Sequence, residues 1–180
     1  MSAIKDIKAR KIYDSRGNAT LEVDMYLSSG IRGRASVPSG ASTGKTETLK
    51  LQDINQSITN VAILKNSLIG QDVTAQEKND LLMINTDGTK QKKNLGGNVI
   101  LAVSLAMCDA AAKEAKVSLY QYINSISGIK LDSFCLPTPL FNIVNGGKHA
   151  DSRLPFQEFM IMPKTNGTFA QKLDTGVTVY

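Results

Sequence analysis

VPSGASTGK, residues 37–45, joins a segment that alternates apolar and polar side chains to one that is charged and helix-like. Pro38 prevents the preceding strand from continuing, and Gly40 and Gly44 give the backbone conformations that a Cβ would hinder. Three hydroxyl side chains lie between these residues. A loop of exposed N–H groups and hydroxyls suits an oxyanion or a hard cation, although a plain polar surface turn has the same composition.

The end of this stretch also resembles a nucleotide-binding P-loop, whose pattern is G-x-x-x-x-G-K-[ST]. Gly44, Lys45 and Thr46 match its last three positions, but its first glycine would fall on Ser39. Pro38 lies where the motif needs an unbroken buried strand, and no hydrophobic run ending in Asp supplies the second, magnesium-holding motif. These differences disfavour a nucleotide-binding function.

Two alternating segments precede the stretch and predict a hairpin with one buried face. Over residues 20–27 four apolar side chains share one face, and Glu22, Asp24 and Tyr26 lie on the other. Residues 28–30 form a turn, and residues 31–37 alternate again. A less regular first strand is predicted within residues 4–12, so the sheet is expected to be an antiparallel three-stranded meander.

Helical patterns follow the stretch and predict a cluster of helices beside the sheet. The first spans residues 54–69, and a capping box at residues 74–77 predicts a second that buries Leu81, Leu82 and Ile84. The strongest helix, residues 98–116, is rich in Ala and Leu and contains Cys108, which we expect to be buried. Ser118 is expected to cap a last short helix through residue 122.

The pattern changes after residue 125, where Gly128, Pro137 and Pro139 mark a predicted domain boundary. Beyond it lie two predicted strands, residues 141–144 and 157–162, with a Gly-Gly turn after the first. Thr168 and Gln171 form a capping box that opens a final helix. The sequence therefore predicts an α+β protein with domains at residues 1–127 and 136–180.

The composition of the chain excludes several classes of protein function. The 180 residues are 42% apolar, enough for one domain with a real core, and carry a formal net charge of +5. The lysines are scattered apart from the run at residues 90–93, so we expect no nucleic-acid partner but do expect a preference for small anionic substrates. The two cysteines form no disulfide framework. Neither a signal peptide nor a transmembrane segment is recognisable, which predicts a soluble, cytoplasmic protein.

Five segments, in chain order, resemble the enolase family. They are DSRGN at residues 14–18, SVPSGASTG at 36–44, LGGNVILAVSLA at 95–106, NIVNGGKHA at 142–150 and QEFMIMP at 157–163. The second resembles the family's mobile active-site loop. The resemblance implies an enolase N-terminal-like domain, in which an antiparallel three-stranded meander accompanies a helical cluster, followed by the start of a truncated α/β barrel.

The resemblance also implies a reaction and a site. Enolases are magnesium-dependent enzymes of glycolysis that dehydrate 2-phospho-D-glycerate to phosphoenolpyruvate. Ser42 matches the serine that ligates the second Mg²⁺ in the family. The positions that match substrate-contacting residues are Gly40, Ala41, His149, Gln157 and Glu158.

Simpler explanations exist for each of these residues. Ser42 also fits a loop serine bonded to its own backbone, and a lone histidine such as His149 is more often structural than catalytic. Gln157 and Glu158 also fit solvated residues at the start of a strand. Barrel enzymes normally place their site residues at the C-terminal ends of strands, so position alone does not favour this pair.

The resemblance implies functional roles for three further positions, less directly. Glu47 matches a family position near the mobile loop. Glu22 and Arg16 resemble positions at the family's dimer contact, which implies a homodimer, although ordinary surface charge is an equally good explanation. The chain also lacks a Gly- and Lys-rich loop that the family has after residues 51–53, so the packing around the mobile loop is expected to differ.

The resemblance extends over only part of the family's barrel, since a complete (β/α)₈ barrel needs roughly 250 residues. In enolases the general base, a lysine, and the carboxylates that bind the first magnesium come from later barrel strands. We therefore expect the 180-residue chain to be inactive alone, as a fragment or a degenerate gene product. The alternative is a non-catalytic interaction or dimerisation module.

Overall fold

A computed structural model describes residues 2–38, 40, 44–129, 131 and 133–180. The chain divides into two compact units, with the boundary between residues 130 and 131. The domain ranges predicted from the sequence, 1–127 and 136–180, stay predictions. Within the described residues, no helix is both long enough and apolar enough to cross a membrane.

The first unit contains a three-stranded antiparallel sheet. Its strands are β1 (Ile4–Tyr13), β2 (Ala19–Leu27) and β3 (Arg32–Ser36), in the order β1-β2-β3. Met25 of the central strand lies opposite Ile7 on one side and Gly33 on the other. The register shifts between Ile4 and Asp6, so the first strand is irregular at its start. The predicted three-stranded meander is confirmed.

Four helices of the first unit follow the sheet in the sequence. They are α1 (Ile54–Leu68), α2 (Gln76–Asp87), α3 (Gly97–Glu114) and α4 (Leu119–Ile126). Helix α3 is the most buried, and its Cys108 is buried as predicted. Burial, with a smaller contribution from Asp80 and Asp109, raises the pKa of the Cys108 thiol. Together the sheet and helices form the predicted α+β architecture.

The core lies between the sheet and these helices. The predicted apolar face of β2 is fully buried and meets apolar side chains from α1 and α3; the largest of this set are Leu21, Met25, Leu27, Leu64, Leu68 and Met107. Burying a side chain of this size stabilises a fold by roughly 1.5–3 kcal/mol. Gly33 brings β3 against α3, because a Cβ there would overlap backbone atoms of Ala106 and Ala110.

Helix α2 differs from its prediction at its first turn. The residue at its N-cap is Ala75, and no side chain caps the helix there. The Thr74 hydroxyl instead donates to the carboxylate of Asp72, at 2.9 Å, and the Thr74 amide donates to the same oxygen. The predicted capping box is wrong because Thr74 lies in a local turn with Asp72, one residue before the N-cap.

The buried face of α2 also differs. Leu81, predicted to be buried, is 52% exposed, whereas Leu82 and Ile84 are half-buried. The buried side chains are Asn79, Met83 and Asp87, spaced four residues apart on one face. Two polar residues therefore occupy positions on the face that packs inward, and an apolar residue takes the solvent side.

The second unit consists of a hairpin and a helix. Its elements are β4 (Phe141–Asn145), a single 3₁₀ turn (Gly147–His149), β5 (Glu158–Ile161) and α5 (Phe169–Val179). The two strands pair antiparallel, so they are joined directly and not through a helix as in a regular (β/α) repeat. Thr168 and Gln171 cap α5 reciprocally, as predicted. The buried Gly176 lets α5 pack on the ring of Phe141.

The burial of Asp24 differs from the prediction. The alternation of β2 placed it on the polar face, yet its side chain is fully buried. Arg34 of β3 donates to both carboxylate oxygens, at 2.6 and 3.1 Å, and Arg10 of β1 also donates to it. The hydrogen bonds from Arg34, and then those from Arg10, hold the pKa of Asp24 well below its usual range. An ion-paired carboxylate therefore joins all three strands.

Replacing this carboxylate should destabilise the first unit. We expect Asp24→Asn to lower the free energy of unfolding by about 2–3 kcal/mol, measured by urea denaturation at pH 7. This is below the ~3–5 kcal/mol typical of breaking a fully buried pair, because both arginine side chains are 40% exposed and can rehydrate. Since the folded-state pKa is lowered, the contribution is complete above the unfolded-state pKa of about 3.9 and declines progressively as the pH falls from there towards the much lower folded-state pKa.

Asp6→Asn is the matched control, because Asp6 makes a more exposed ion pair with Lys65. Such surface pairs contribute about 0–1 kcal/mol. Equal losses for the two variants at pH 7, or a difference between Asp24→Asn and the unmodified chain that persists undiminished at pH 2.5, would contradict the role assigned to Asp24.

Candidate active site

The antiparallel register of the second hairpin determines where its polar residues lie. Asn145, the last residue of β4, is paired with Glu158, the first residue of β5. The start of β5 and the end of β4 therefore lie at the same end of the hairpin. The rule that favours C-terminal strand ends applies to parallel barrels, so it gives no reason to exclude Gln157 and Glu158 here.

The segment after β4 folds back onto the start of β5. The Gly146 amide donates to the Gln157 carbonyl at 2.9 Å, and the Gly147 amide donates to the Leu154 carbonyl at 2.9 Å. Gly147 has a φ of 54°, and a Cβ at this position would lie 3.0 Å from Cγ of Gln157. Glycine is thus required both for the left-handed conformation and for the close contact with Gln157.

This fold-back delivers His149 to the start of β5. Nδ1 of His149 lies 3.1 Å from Oε1 of Glu158, and the two side chains are 25% and 39% exposed. At this separation the imidazole and the carboxylate are in direct polar contact. Among the described residues Nε2 of His149 has no hydrogen-bond partner. The pair therefore orients the imidazole and leaves its second nitrogen for a ligand.

The structure thus brings together three of the predicted site residues. His149, Gln157 and Glu158 offer an imidazole, an amide and a carboxylate at one edge of one hairpin. An imidazole nitrogen and an amide can bind hydroxyl, carboxylate or phosphate oxygens. The arrangement suits an oxygen-rich small molecule, and the substrate-binding role of His149 stays a prediction.

The predicted loop residues belong to a different part of the chain. Gly40 is exposed, whereas Ala41 and Ser42 lie outside the described residues, so the roles predicted for all three stay predictions. The strand before the loop is fixed as far as Val37, whose amide donates to Leu21 at 3.0 Å. The Val37 carbonyl accepts a 2.5 Å hydrogen bond from the buried Thr20 hydroxyl. A cleft of about 320 Å³ lies beside this strand end.

Glu47 lies just after the loop and is exposed. Its amide donates to the Gly44 carbonyl at 3.3 Å, and its carboxylate folds back against Gly44. Glu47 therefore lies next to the loop both in the sequence and in space. A ligand-binding role for it stays a prediction.

The two predicted dimer-contact residues have different surroundings. Arg16 is exposed in the β1–β2 turn, where its amide and that of Asn18 donate to Asp14. Glu22 accepts hydrogen bonds from Arg10 and, at 2.9 Å, from Ser36. The carboxylate of Glu22 is thus engaged within the sheet, while the side chain of Arg16 is accessible.

A magnesium site can be tested against the described side chains. Mg²⁺ takes six oxygen ligands, usually including one or two carboxylates. Among the residues that the structure describes, no three His, Cys, Asp or Glu side chains lie close enough to hold a metal ion. Ser42, the metal ligand predicted from the sequence, lies outside them. The described part of the chain therefore does not fit a complete magnesium site.

Sequence reasoning missed two arrangements. The contact of Gly147 with Gln157 was signalled only by two adjacent glycines after a strand. The pairing of Asp24 and Glu22 with Arg10 and Arg34 was signalled by acidic residues on β2 and basic residues on both neighbouring strands. Cross-strand charge pairs of this kind are recognisable once the register is known.

Comparison with protein families assigns both parts of the chain. The family model of the enolase N-terminal domain matches residues 4–123, and that of the enolase C-terminal TIM barrel domain matches residues 133–180. The first match covers the three-stranded sheet and the helices α1 to α3, and the second covers the hairpin that holds His149 and Glu158. This chain belongs to the enolase family, as an N-terminal domain followed by the start of the barrel domain.

Proposed function

We propose that this chain contributes to the reaction of phosphopyruvate hydratase, the magnesium-dependent conversion of 2-phospho-D-glycerate to phosphoenolpyruvate in glycolysis. The observation that carries this proposal is the cluster of His149, Gln157 and Glu158 at one hairpin edge. Family membership supports a lyase. The resemblance of the segments at residues 142–150 and 157–163 implies that the three positions correspond to substrate contacts of the family. The cytoplasm is the compartment that this reaction implies.

The proposed roles of these residues concern substrate contact. Glu158 holds the imidazole of His149 through Nδ1, so that Nε2 can bind a phosphate or hydroxyl oxygen. Gln157, whose backbone carbonyl accepts a hydrogen bond from Gly146 and whose Cγ lies against Gly147, is proposed to contact the substrate through its side-chain amide. Gly40 and Ala41 are also proposed as substrate contacts, and Ser42 as a magnesium ligand, as the family resemblance implies. No proton transfer is assigned to a described residue.

A polypeptide of these 180 residues alone should not catalyse the reaction. The resemblance assigns the base and the first-magnesium carboxylates to barrel strands beyond the segments matched here. A missing general base alone removes roughly 10²–10⁴ in rate, and metal-centred stabilisation contributes several kcal/mol more. With 2-phosphoglycerate and excess magnesium, we expect no increase in phosphoenolpyruvate absorbance over hours. Turnover above a control free of host enolase would contradict this expectation.

A chimaera tests the site residues themselves. Joining residues 1–180 to the remaining barrel segments of an active enolase should give measurable turnover. In that chimaera His149→Gln should lower kcat/KM by about 10- to 100-fold, the usual effect of losing a hydrogen bond to a charged group. Glu158→Gln should produce a comparable loss, because the imidazole is no longer held by a carboxylate.

Asp151→Asn is the matched control, since Asp151 is an exposed carboxylate in the same loop. It should retain kcat/KM within about twofold, as expected of an exposed surface change. Circular dichroism of each chimaera separates misfolding from a local effect. If the folded His149→Gln and Glu158→Gln proteins were as active as Asp151→Asn, the proposed substrate contacts would be excluded.

A second function, pairing with another enolase-family subunit without catalysis, is favoured by the accessibility of Arg16 beside the sheet. The family's homodimer implies that an intact enolase subunit is the partner. Sedimentation velocity of the 180-residue chain mixed with an intact enolase should reveal a mixed complex. Arg16→Glu should weaken that complex by at least tenfold, whereas Lys164→Glu, another exposed charge reversal, should not. Independent sedimentation of the two proteins would rule out this function.

A further inference from the structure

A cavity of about 470 Å³ lies in the first unit, between residues 45–48 and residues 89–93. Cations and hydroxyls dominate its lining: Lys45, Lys90, Lys93, Thr46, Thr48 and Thr89. Every one of these residues belongs to the same compact unit. The volume is within the range of small-molecule sites, and the side chains of the lining offer positive charge and hydroxyl donors.

Backbone hydrogen bonds hold the two walls of the cavity together. The Leu49 amide donates to the Gln91 carbonyl at 2.8 Å, which ties the segment after the loop to the lysine-containing turn. The Gly97 amide, at the start of α3, donates to the Leu49 carbonyl at 2.8 Å. The walls are therefore anchored to each other and to the most buried helix of the unit.

The lysine-containing turn is itself anchored by a buried carboxylate. Asp87 accepts hydrogen bonds from the amides of Thr89, Asn94 and Leu95, at 3.0, 3.0 and 2.7 Å. The Thr89 hydroxyl in turn accepts from the Lys93 amide at 2.9 Å. Burial alone would raise the pKa of Asp87, but the hydrogen bonds from Thr89 and then from Leu95 lower it, so the carboxylate stays ionised.

The charge in the cavity is not balanced. Within the described residues, Lys45, Lys90 and Lys93 make no ion pair, and Glu47 is the one acidic side chain of the lining. Glu47 folds back against Gly44. Three lysines thus line the same cavity as one glutamate. Such a concentration of one sign of charge is compensated most directly by an anion with two or more negative charges.

Lys92 provides a comparison within the same turn. Its φ is 56°, and its ammonium group reaches the carbonyls of Thr89 and Lys90, at 3.5 and 3.4 Å. It does not line the cavity. The turn therefore directs Lys90 and Lys93 to the cavity while Lys92 binds to the backbone.

We propose that this cavity is a binding site for a small phosphorylated anion, separate from the hairpin residues of the proposed enolase site. Lys45, Lys90 and Lys93 supply the charge, and the hydroxyls of Thr46 and Thr48 supply hydrogen bonds to phosphate oxygens. The site requires neither magnesium nor the barrel, so it exists whether or not the proposed reaction takes place. Because the lysines are exposed, binding weakens as the ionic strength rises.

Pyrophosphate is the probe for this site. It is titrated into the ¹⁵N-labelled 180-residue chain in magnesium-free buffer, with total ionic strength held constant by sodium chloride, and amide chemical shifts are followed. We expect saturable shifts at residues 46–48 and 89–93. The double variant Lys90→Gln/Lys93→Gln should weaken binding roughly tenfold, since each exposed charge contributes a modest share. Lys92→Gln, the matched control, should change the affinity by less than twofold.

Each outcome decides the proposal. Saturable shifts confined to the cavity, with loss in the double variant and retention in Lys92→Gln, support it. Linear, non-saturating shifts, or equal weakening in the double variant and Lys92→Gln, show unspecific attraction to a basic chain and overturn it. Saturable shifts at residues 146–158 alone would place phosphate binding at the hairpin and also overturn it. Unchanged amide spectra of the variants without ligand exclude unfolding as a cause.

Discussion

Helix α3 lies directly against strand β3 at Gly33, and much of the first unit depends on this contact. A side chain at Gly33 would overlap the backbone of Ala106 and Ala110, and overpacking of this kind costs about 1–3 kcal/mol or more. The contact fixes β3, and therefore the point after Val37 at which the loop begins. The same helix binds the Leu49 carbonyl through the amide of Gly97, so it also fixes one wall of the cavity that Lys45, Lys90 and Lys93 line.

Much of the fold could be predicted from local pattern, because the strands and the longest helix each have one buried face. The alternation of β2 and the Ala-rich run of α3 give a clear signal of this kind. Helix α2 could not be predicted in detail, since the turn that Thr74 forms with Asp72 precedes the helix and leaves Ala75 at the N-cap position. Asp24 was misplaced for a similar reason. Its burial depends on two arginines from other strands, and alternation within β2 carries no information about them.

The candidate site was predicted less completely than the fold. The family resemblance proposed His149, Gln157 and Glu158 as site residues, but it did not predict that the imidazole of His149 and the carboxylate of Glu158 are in contact. That contact requires the antiparallel register and the fold-back at Gly147, neither of which is expressed in the composition of the segment. The lysines at residues 90–93 were visible as a run in the sequence. Which of these lysines line the cavity and which one binds backbone carbonyls depends on the conformation of the turn.

The pairing of Asn145 with Glu158 sets different evolutionary limits on neighbouring segments. A slip of one residue in β5 would turn the Glu158 side chain to the opposite face of the hairpin, away from His149. Insertions within either strand should therefore be removed by selection. Residues 150–153 lie outside the strands, so a change of length there leaves the strand register intact. Ser152 is the exception in this stretch, because its hydroxyl accepts from the amide of Leu154, whose carbonyl binds Gly147.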